Sequence, residues 1–142
     1  MTRKILVSVE DYRRLAKKRL PKMVFDYLEG GAEDEHGLEH NRSVFQRWRF
    51  KPQRLVDVSR RDLQTEILGK RQAMPLLIGP TGLNGALWPN GDLALAKSAT
   101  KAGIPFVLST ASNISIEDLA RQCDGELWFQ LYVIHREIAQ NM

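Results

Sequence analysis

MPLLIGPTGLNGALWPNGDLALAKSATKAGIPFVLSTASNISIEDLARQCDGELWFQLY, residues 74–132, carries three short apolar runs separated by two helical patterns. The first run, Met74-Pro-Leu-Leu-Ile-Gly79, is almost wholly apolar, which suits a strand buried on both faces better than one alternating between core and water. The loop Pro80-Thr-Gly-Leu-Asn-Gly85 follows it. A helix opens near Asp92, carries Leu93, Ala96, Ala99 and Ala102, and stops at Gly103, where a missing Cβ allows a left-handed cap. Phe106-Val-Leu-Ser109 reads as a second buried strand. Ser115 and Asp118 frame a capping box for a helix from Ile116 to about Gln122, and the polar Asp124-Gly125 turn leads into a third strand, Leu127-Trp-Phe-Gln-Leu-Tyr132. Another helix begins at Arg136 and runs to Met142. Strand and helix alternating in units of about 25–30 residues means parallel strands with right-handed crossovers, so the class is α/β. A barrel and an open doubly wound sheet both fit. Three parallel strands are few for an independent core, so the expectation is a piece of a longer chain, with an eight-stranded (β/α)8 barrel of about 250 residues as its natural completion.

Upstream of this block, Ser8 followed three residues later by Asp11 starts a first helix, with Val9, Tyr12, Leu15 and Ala16 at helical spacing up to about Leu20. Pro21 lacks an N–H and restricts Leu20, so it ends that helix and can serve as the first residue of the next. Met23, Val24, Tyr27 and Leu28 form the apolar face of the second helix, Gly30-Gly31 gives a left-handed stop, and Leu38, Phe45 and Trp48 suggest a third helix with His36 and His40 beside it. The extended runs Leu55-Val-Asp-Val58 and Leu63-Gln-Thr-Glu-Ile-Leu68, separated by Ser59-Arg-Arg-Asp62, read as a β-hairpin. The organisation expected is therefore a helical segment over 1–50, a hairpin within 51–73 and the start of a barrel over 74–142.

With 43% hydrophobic and 27% charged residues, the 142-residue chain has the composition of a globular domain and not of a disordered tail. No run of about 18 apolar residues occurs, and the apolar stretch near Met1 is too short for a signal peptide. The single cysteine, Cys123, excludes an internal disulfide and fits a reducing compartment. The net charge of +4 is uneven: residues 1–71 hold 17 Lys/Arg and 11 Asp/Glu, residues 72–142 hold 4 and 6. A basic half raises nucleic-acid binding, but its cations are interleaved with acids such as Glu33-Asp-Glu35, and nucleic acid is not the expected partner.

In a parallel α/β fold, functional groups collect where strands end and the following loops begin. Here those places are Pro80-Thr81-Gly82, Ser109-Thr110-Ala111-Ser112 and Gln130-Leu131-Tyr132. They offer close-approach backbone at Gly82, hydroxyls at Thr81, Ser109 and Tyr132, and an amide at Gln130, a set that suits a neutral, flat ligand rich in heteroatoms. There is no metal-ligand spacing, no acid/base pair, no phosphate-cradling P-loop and no dinucleotide fingerprint. His36, His40 and His135 stand in polar, helix-like contexts without a nucleophile to pair with, and Cys123 has no histidine nearby. Trp48, Arg49 and Phe50 read as packing and a solvated face. For Tyr27, core packing competes with delivery of its hydroxyl to a pocket from a helix end.

Leu20-Pro-Lys-Met-Val-Phe-Asp-Tyr-Leu-Glu-Gly-Gly-Ala-Glu-Asp34 closely resembles the N-terminal signature of the FMN-dependent 2-hydroxy acid dehydrogenase and oxidase family. The resemblance continues through Asn41-Arg42, residues 74–85, Leu108-Ser109-Thr110 and Trp128-Phe-Gln-Leu-Tyr132, and so covers essentially the whole chain. It implies an FMN-binding (β/α)8 TIM barrel in which this chain supplies the N-terminal helices and the first three barrel strands. The backbone of Pro80, Thr81 and Gly82 would approach the isoalloxazine ring near its reactive nitrogen, and Ser109 and Gln130 would hydrogen-bond its polar edge. Tyr27 and Tyr132 would reach the substrate, a small 2-hydroxy acid, at its carboxylate and, for Tyr132, its hydroxyl. Residues 80–89 and 116–140 are most similar to members that oxidise mandelate. Alanine at position 82 is frequent in the family's oxidases, so Gly82 favours a dehydrogenase that passes electrons to a membrane quinone.

The family's catalytic histidine, its two substrate-binding arginines, its flavin-side lysine and its phosphate loop all fall on later strands, and His135 and Arg136 do not replace them. The implied parent is cytoplasmic, peripheral on the inner face of the cell membrane through a later segment, and a homotetramer. This chain alone is expected to be inactive and to hold FMN poorly. The alternatives are an L-lactate dehydrogenase or a glycolate-type oxidase of the same family and, in a different class, a non-catalytic barrel fragment or a nucleic-acid-binding module resting on the basic half.

Overall fold

Capping chemistry sets the first helix. In the computed structural model, which describes residues 5–133, α1 (Val9–Arg19) begins where the Ser8 hydroxyl accepts the Asp11 N–H at 3.2 Å and the Asp11 carboxylate reaches back to the Ser8 N–H at 3.2 Å. Glu10 and Asp11 in the first turn, and Lys17, Lys18 and Arg19 in the last, complement the helix dipole. Leu20 turns extended, as the residue before a proline is pushed to do, and α2 (Lys22–Glu29) follows with Pro21 at its cap. Arg13 on α1 meets Glu29 of α2 at 2.6 Å, and the Lys17 ammonium stands 6.0 Å from the ring centre of the buried Phe25.

The glycines after α2 act differently from the expected left-handed stop. Gly30 is extended, at φ −73° and ψ 151°, and the left-handed residues of this bend are Glu33 and Glu35. What demands glycine is space, because a Cβ on Gly31 would stand 2.9 Å from the Leu38 side chain. Next come α3 (His36–Ser43), which itself carries His36 and His40, and a 3-10 turn over Val44–Arg47. Phe45 and Trp48 remain exposed. The chain divides into two units between Asp57 and Val58, and all of these elements belong to the first.

The second unit opens with a hairpin built from different segments than the one expected. Strand β1 (Thr65–Ile67) pairs antiparallel with β2 (Lys70–Gln72), while Leu55–Val58 joins no strand. Leu68 and Gly69 form the two-residue turn, both with positive φ (50° and 76°), the type I′ geometry that matches strand twist. Lys70 pairs with Glu126 at 2.7 Å.

Residues 74–79 are also less regular than an inner strand. Pro75 has no N–H to give, and the Leu76 N–H donates locally to the Met74 carbonyl at 2.8 Å, so the ladder is entered only at Ile78. There the Ile78 N–H donates to the Pro105 carbonyl and its own carbonyl accepts the Val107 N–H, each at 2.9 Å, making one parallel bridge to Phe106. Leu76 and Leu77 are exposed, contrary to burial on both faces.

The loop after Ile78 contains a short helix, α4 (Asn84–Leu87), before α5 (Gly91–Ala102). Gly103 ends α5 at φ 67°, the expected left-handed cap. Strand β3 (Phe106–Ser109) is buried throughout, α6 (Ile116–Gln122) starts at the Ser115 cap, and β4 (Leu127–Gln130) pairs parallel with β3 in the register Phe106 to Leu127 through Ser109 to Gln130. The core is built from Ala96, Ala99, Phe106, Leu108, Leu119 and Cys123. Helices alternating with parallel strands make this unit α/β, as expected. The helix expected from Arg136 lies outside the described residues.

Candidate functional site

Parallel pairing in register places Ser109 and Gln130 side by side at the C-terminal ends of β3 and β4. The Ser109 side chain is 4% exposed, and its Oγ lies 3.4 Å from Gln130 Oε1 while accepting the Ala111 N–H at 3.1 Å. Gln130 Oε1 is also 3.4 Å from the Thr110 N–H, so the carbonyl side of this amide faces the strand ends. Both contacts are long and leave room for a ligand to compete.

Thr110 binds the two ends together. Its N–H donates to the Gln130 carbonyl at 3.0 Å, its hydroxyl donates to that same carbonyl, and the hydroxyl oxygen accepts the Tyr132 N–H at 3.0 Å. The Tyr132 side chain is 60% exposed and unburdened by packing. The third strand end, Pro80-Thr81-Gly82, joins the same cluster through the next residue, because the Leu83 N–H donates to the Ala111 carbonyl at 3.0 Å. Pro80 and Thr81 are exposed and Gly82 is half-buried.

The structure thus brings Pro80, Thr81, Gly82, Ser109, Gln130 and Tyr132 into one region of the second unit. Tyr27 stands on α2 of the first unit and is 59% exposed, against packing in a core. Trp48 and Phe50 are exposed as well. Cys123 is buried with its sulfur 3.0 Å from the Thr100 hydroxyl, a packed position. Among the described residues no group of three or more His, Cys, Asp or Glu could hold a metal ion, and no helix is long and apolar enough to cross a membrane.

Sequence reasoning missed the supports of this site. Asn84 and Asp92 are buried polar residues joined at 2.6 Å, and Ser112 donates to the other oxygen of Asp92, also at 2.6 Å. Asp92 reads in the sequence as an acidic residue opening a helix, which conceals a side chain aimed inward. Thr110 sits in a run of small hydroxyl residues that does not tell which of them bridges strands. The shifted carboxyl groups of this unit lie elsewhere: at the opposite end of β4, the Lys70 ammonium and the Trp128 indole N–H hold the Glu126 carboxyl below the usual carboxylate range.

The donors and acceptors at the strand ends are hydroxyl, amide and backbone groups, with no charge among them. That chemistry fits the carbonyl and N–H edge of a flat flavin ring.

Known proteins are similar to this chain in sequence and in backbone. The chain is 84% identical to the (S)-mandelate dehydrogenase of Pseudomonas putida over 137 residues, 96% of this chain and 35% of that protein. It is 43% identical over 127 residues to a peroxisomal (S)-2-hydroxy-acid oxidase of Oryza sativa subsp. indica, covering 89% of this chain and 35% of the oxidase. A crystal structure of the monotopic membrane protein (S)-mandelate dehydrogenase superposes with a TM-score of 0.91 at 83% identity, over 98% of this chain and 37% of that one. The chain therefore spans about a third of the length of the curated relatives it matches, 35% in both cases. Residues 16–142 match the family described as FMN-dependent dehydrogenase, and the chain belongs to that family.

Proposed function

We propose that this chain forms the flavin-facing start of an FMN-dependent (S)-2-hydroxy acid dehydrogenase built on a (β/α)8 barrel, with Ile78, β3 and β4 on its first three barrel strands. The observation that carries the reading is the pairing of Ser109 with Gln130 at the ends of adjacent parallel strands, beside the Pro80-Thr81-Gly82 turn. Strand ends of this kind are where α/β enzymes gather ligand-binding groups. Mandelate is the favoured substrate, supported by the 84% identity to (S)-mandelate dehydrogenase.

When bound, FMN supplies the acceptor for the hydride equivalent that leaves the substrate's hydroxyl-bearing carbon. The residues of this chain bind and orient. The backbone of Pro80, Thr81 and Gly82 would approach the flavin ring, and Gly82 would interpose no side chain there. Ser109 Oγ and the Gln130 amide would hydrogen-bond the polar edge of the ring. Tyr132 would hold the substrate near its carboxylate and hydroxyl. By the family resemblance, the histidine that would take the hydroxyl proton falls on a later strand.

The monotopic membrane character of the solved relative supports a protein peripheral to the cytoplasmic face of the membrane that passes electrons to a quinone. The complete protein is taken to be a homotetramer. A second reading, an oxidase acting on a shorter 2-hydroxy acid, draws on the 43% identity to the rice oxidase.

Flavin content and steady-state rates of the full-length protein with (S)-mandelate, L-lactate and glycolate, each with a quinone or with oxygen as acceptor, test the proposal. The expected result is bound FMN and the highest kcat/KM for mandelate with the quinone. Preference for glycolate with oxygen would establish the second reading, and a protein without flavin would end both.

A further inference from the structure

Behind the strand ends, one buried carboxylate serves two loops. Asp92, the second residue of α5 and 3% exposed, accepts the Asn84 amide N–H on Oδ1 at 2.6 Å and the Ser112 hydroxyl on Oδ2 at 2.6 Å. The same Asn84 amide, itself 7% exposed, donates to the Thr81 carbonyl at 3.2 Å. Ser112 Oγ in turn accepts the Ile114 N–H at 3.2 Å, and Asn113 Oδ1 accepts the Gly85 N–H at 3.0 Å. Gly91 completes the fit, since a Cβ there would stand 2.8 Å from the Asn84 carbonyl and push α4 off α5.

A carboxylate is an expensive group to bury, and this one is held by two neutral donors and the first turn of a helix. An apolar side chain would fill the space at less cost in solvation. It could not accept from Asn84 and Ser112 at once, and those two residues belong to the turn after Ile78 and the loop after β3.

We propose that Asp92 is a positioning residue of the flavin site: through Asn84 and Ser112 it fixes the Pro80-Thr81-Gly82 turn against the loop that carries Ser109, and so sets where that backbone stands at the ring. The inference rests on the function proposed above. Asparagine at position 92 should replace it nearly intact, with its oxygen toward Asn84 and its NH2 toward the Ser112 oxygen, whereas alanine serves neither loop.

The test is amide hydrogen exchange on the full-length protein, flavin-loaded and flavin-stripped, for Asp92→Ala and Asp92→Asn, together with the visible spectrum and the rate of flavin reduction by mandelate. In Asp92→Ala, exchange at Leu83, Gly85 and Ile114 is expected to rise about 10- to 100-fold, the range for a lost buried acceptor, with β3 amides unchanged. The flavin absorption band shifts and reduction slows about tenfold, while KM moves less than about twofold, as for a group acting on the geometry of the reaction rather than on substrate binding. Asp92→Asn recovers most of each.

Unchanged exchange at the three amides overturns the proposal, as does a loss in Asp92→Asn equal to that in Asp92→Ala. If Asp92→Ala does not fold, Asn84→Ala should loosen Leu83 and spare Ile114, and Ser112→Ala the reverse; failure of both patterns also overturns it. A protein that takes up no flavin defeats the proposed function, yet its exchange pattern still decides the network. A network that responds while the flavin spectrum and reduction rate stay fixed defeats the positioning role alone.

Discussion

Thr110 is exposed, small and easily passed over, yet its hydroxyl both donates to the Gln130 carbonyl and accepts the Tyr132 N–H. Valine has the same shape and neither capacity. Each such bond contributes about 1 kcal/mol net, and the Thr110 N–H still reaches the Gln130 carbonyl, so Thr110→Val should cost the full-length protein about 1–3 kcal/mol in urea unfolding. Thr110→Ser should recover most of it, and a valine variant as stable as the parent would show that the clamp contributes nothing. Gly82, half-buried in the turn after Ile78, leads to a different measurement. In the proposed enzyme a methyl group there stands between backbone and ring, so Gly82→Ala should raise the share of turnover that ends in peroxide. Unchanged peroxide production would remove the argument that glycine at 82 marks a dehydrogenase.

At the scale of elements, the turn Leu68-Gly69 departs most from what its residues prefer. Leucine pays roughly 1 kcal/mol or more for a left-handed backbone, and Leu68 buries nothing in return, being 82% exposed with φ 50°. Leu68→Asn is therefore expected to stabilise the protein by up to about 1 kcal/mol, read as a raised urea midpoint, because asparagine tolerates this conformation and is the usual first residue of such turns. The same leucine explains why the hairpin was not legible: no Asn-Gly or Gly-Gly pair announces it, while the more alternating Leu55–Val58 run looks like a strand and finds no partner. By contrast the stops and starts at Ser8, Gly103 and Ser115 depend on one or two neighbouring residues, and the sequence shows them directly. Burial of a polar side chain is different in kind. Asp92 and Asn84 meet across eight positions only because α4 folds back on α5, which no local pattern encodes. The strand-end site lies between these cases, since its residues follow from where parallel strands stop, but the roles of Thr110 and Ser112 follow only from register.

At the scale of the whole molecule, two carboxyl groups among the described residues bias stability toward neutral pH. The Ser115 hydroxyl and the Arg121 guanidinium hold the Asp118 carboxyl below its ordinary value, and Lys70 and Trp128 do the same for Glu126. Folding favours the ionised form of each, so their contribution is complete above the unfolded carboxylate range and is lost as pH falls through the lowered folded values. Glu126→Gln should narrow the gap between urea midpoints measured at neutral and at acid pH, and an unchanged gap would assign acid sensitivity to other groups. The sheet has a consequence for the cofactor. Among the described residues, the parallel sheet of the second unit has one bridge at Ile78 and two paired strands, whereas a (β/α)8 site draws its ligand contacts from loops around the whole barrel mouth. Leu76 and Leu77 are exposed and Phe129 is 36% exposed, so apolar surface that a closed barrel would cover meets water in the 142-residue chain. In the proposed site, hydrogen bonds from Ser109, Gln130 and the 80–82 turn to one edge of a flavin would then compete with water and with the chain's own contacts at 3.4 Å. The isolated chain, mixed with excess FMN and desalted, is accordingly expected to lose its visible flavin absorption, while the full-length protein retains it. Stoichiometric flavin on the isolated chain would mean that these strand ends suffice for tight binding and that the later strands serve mainly chemistry.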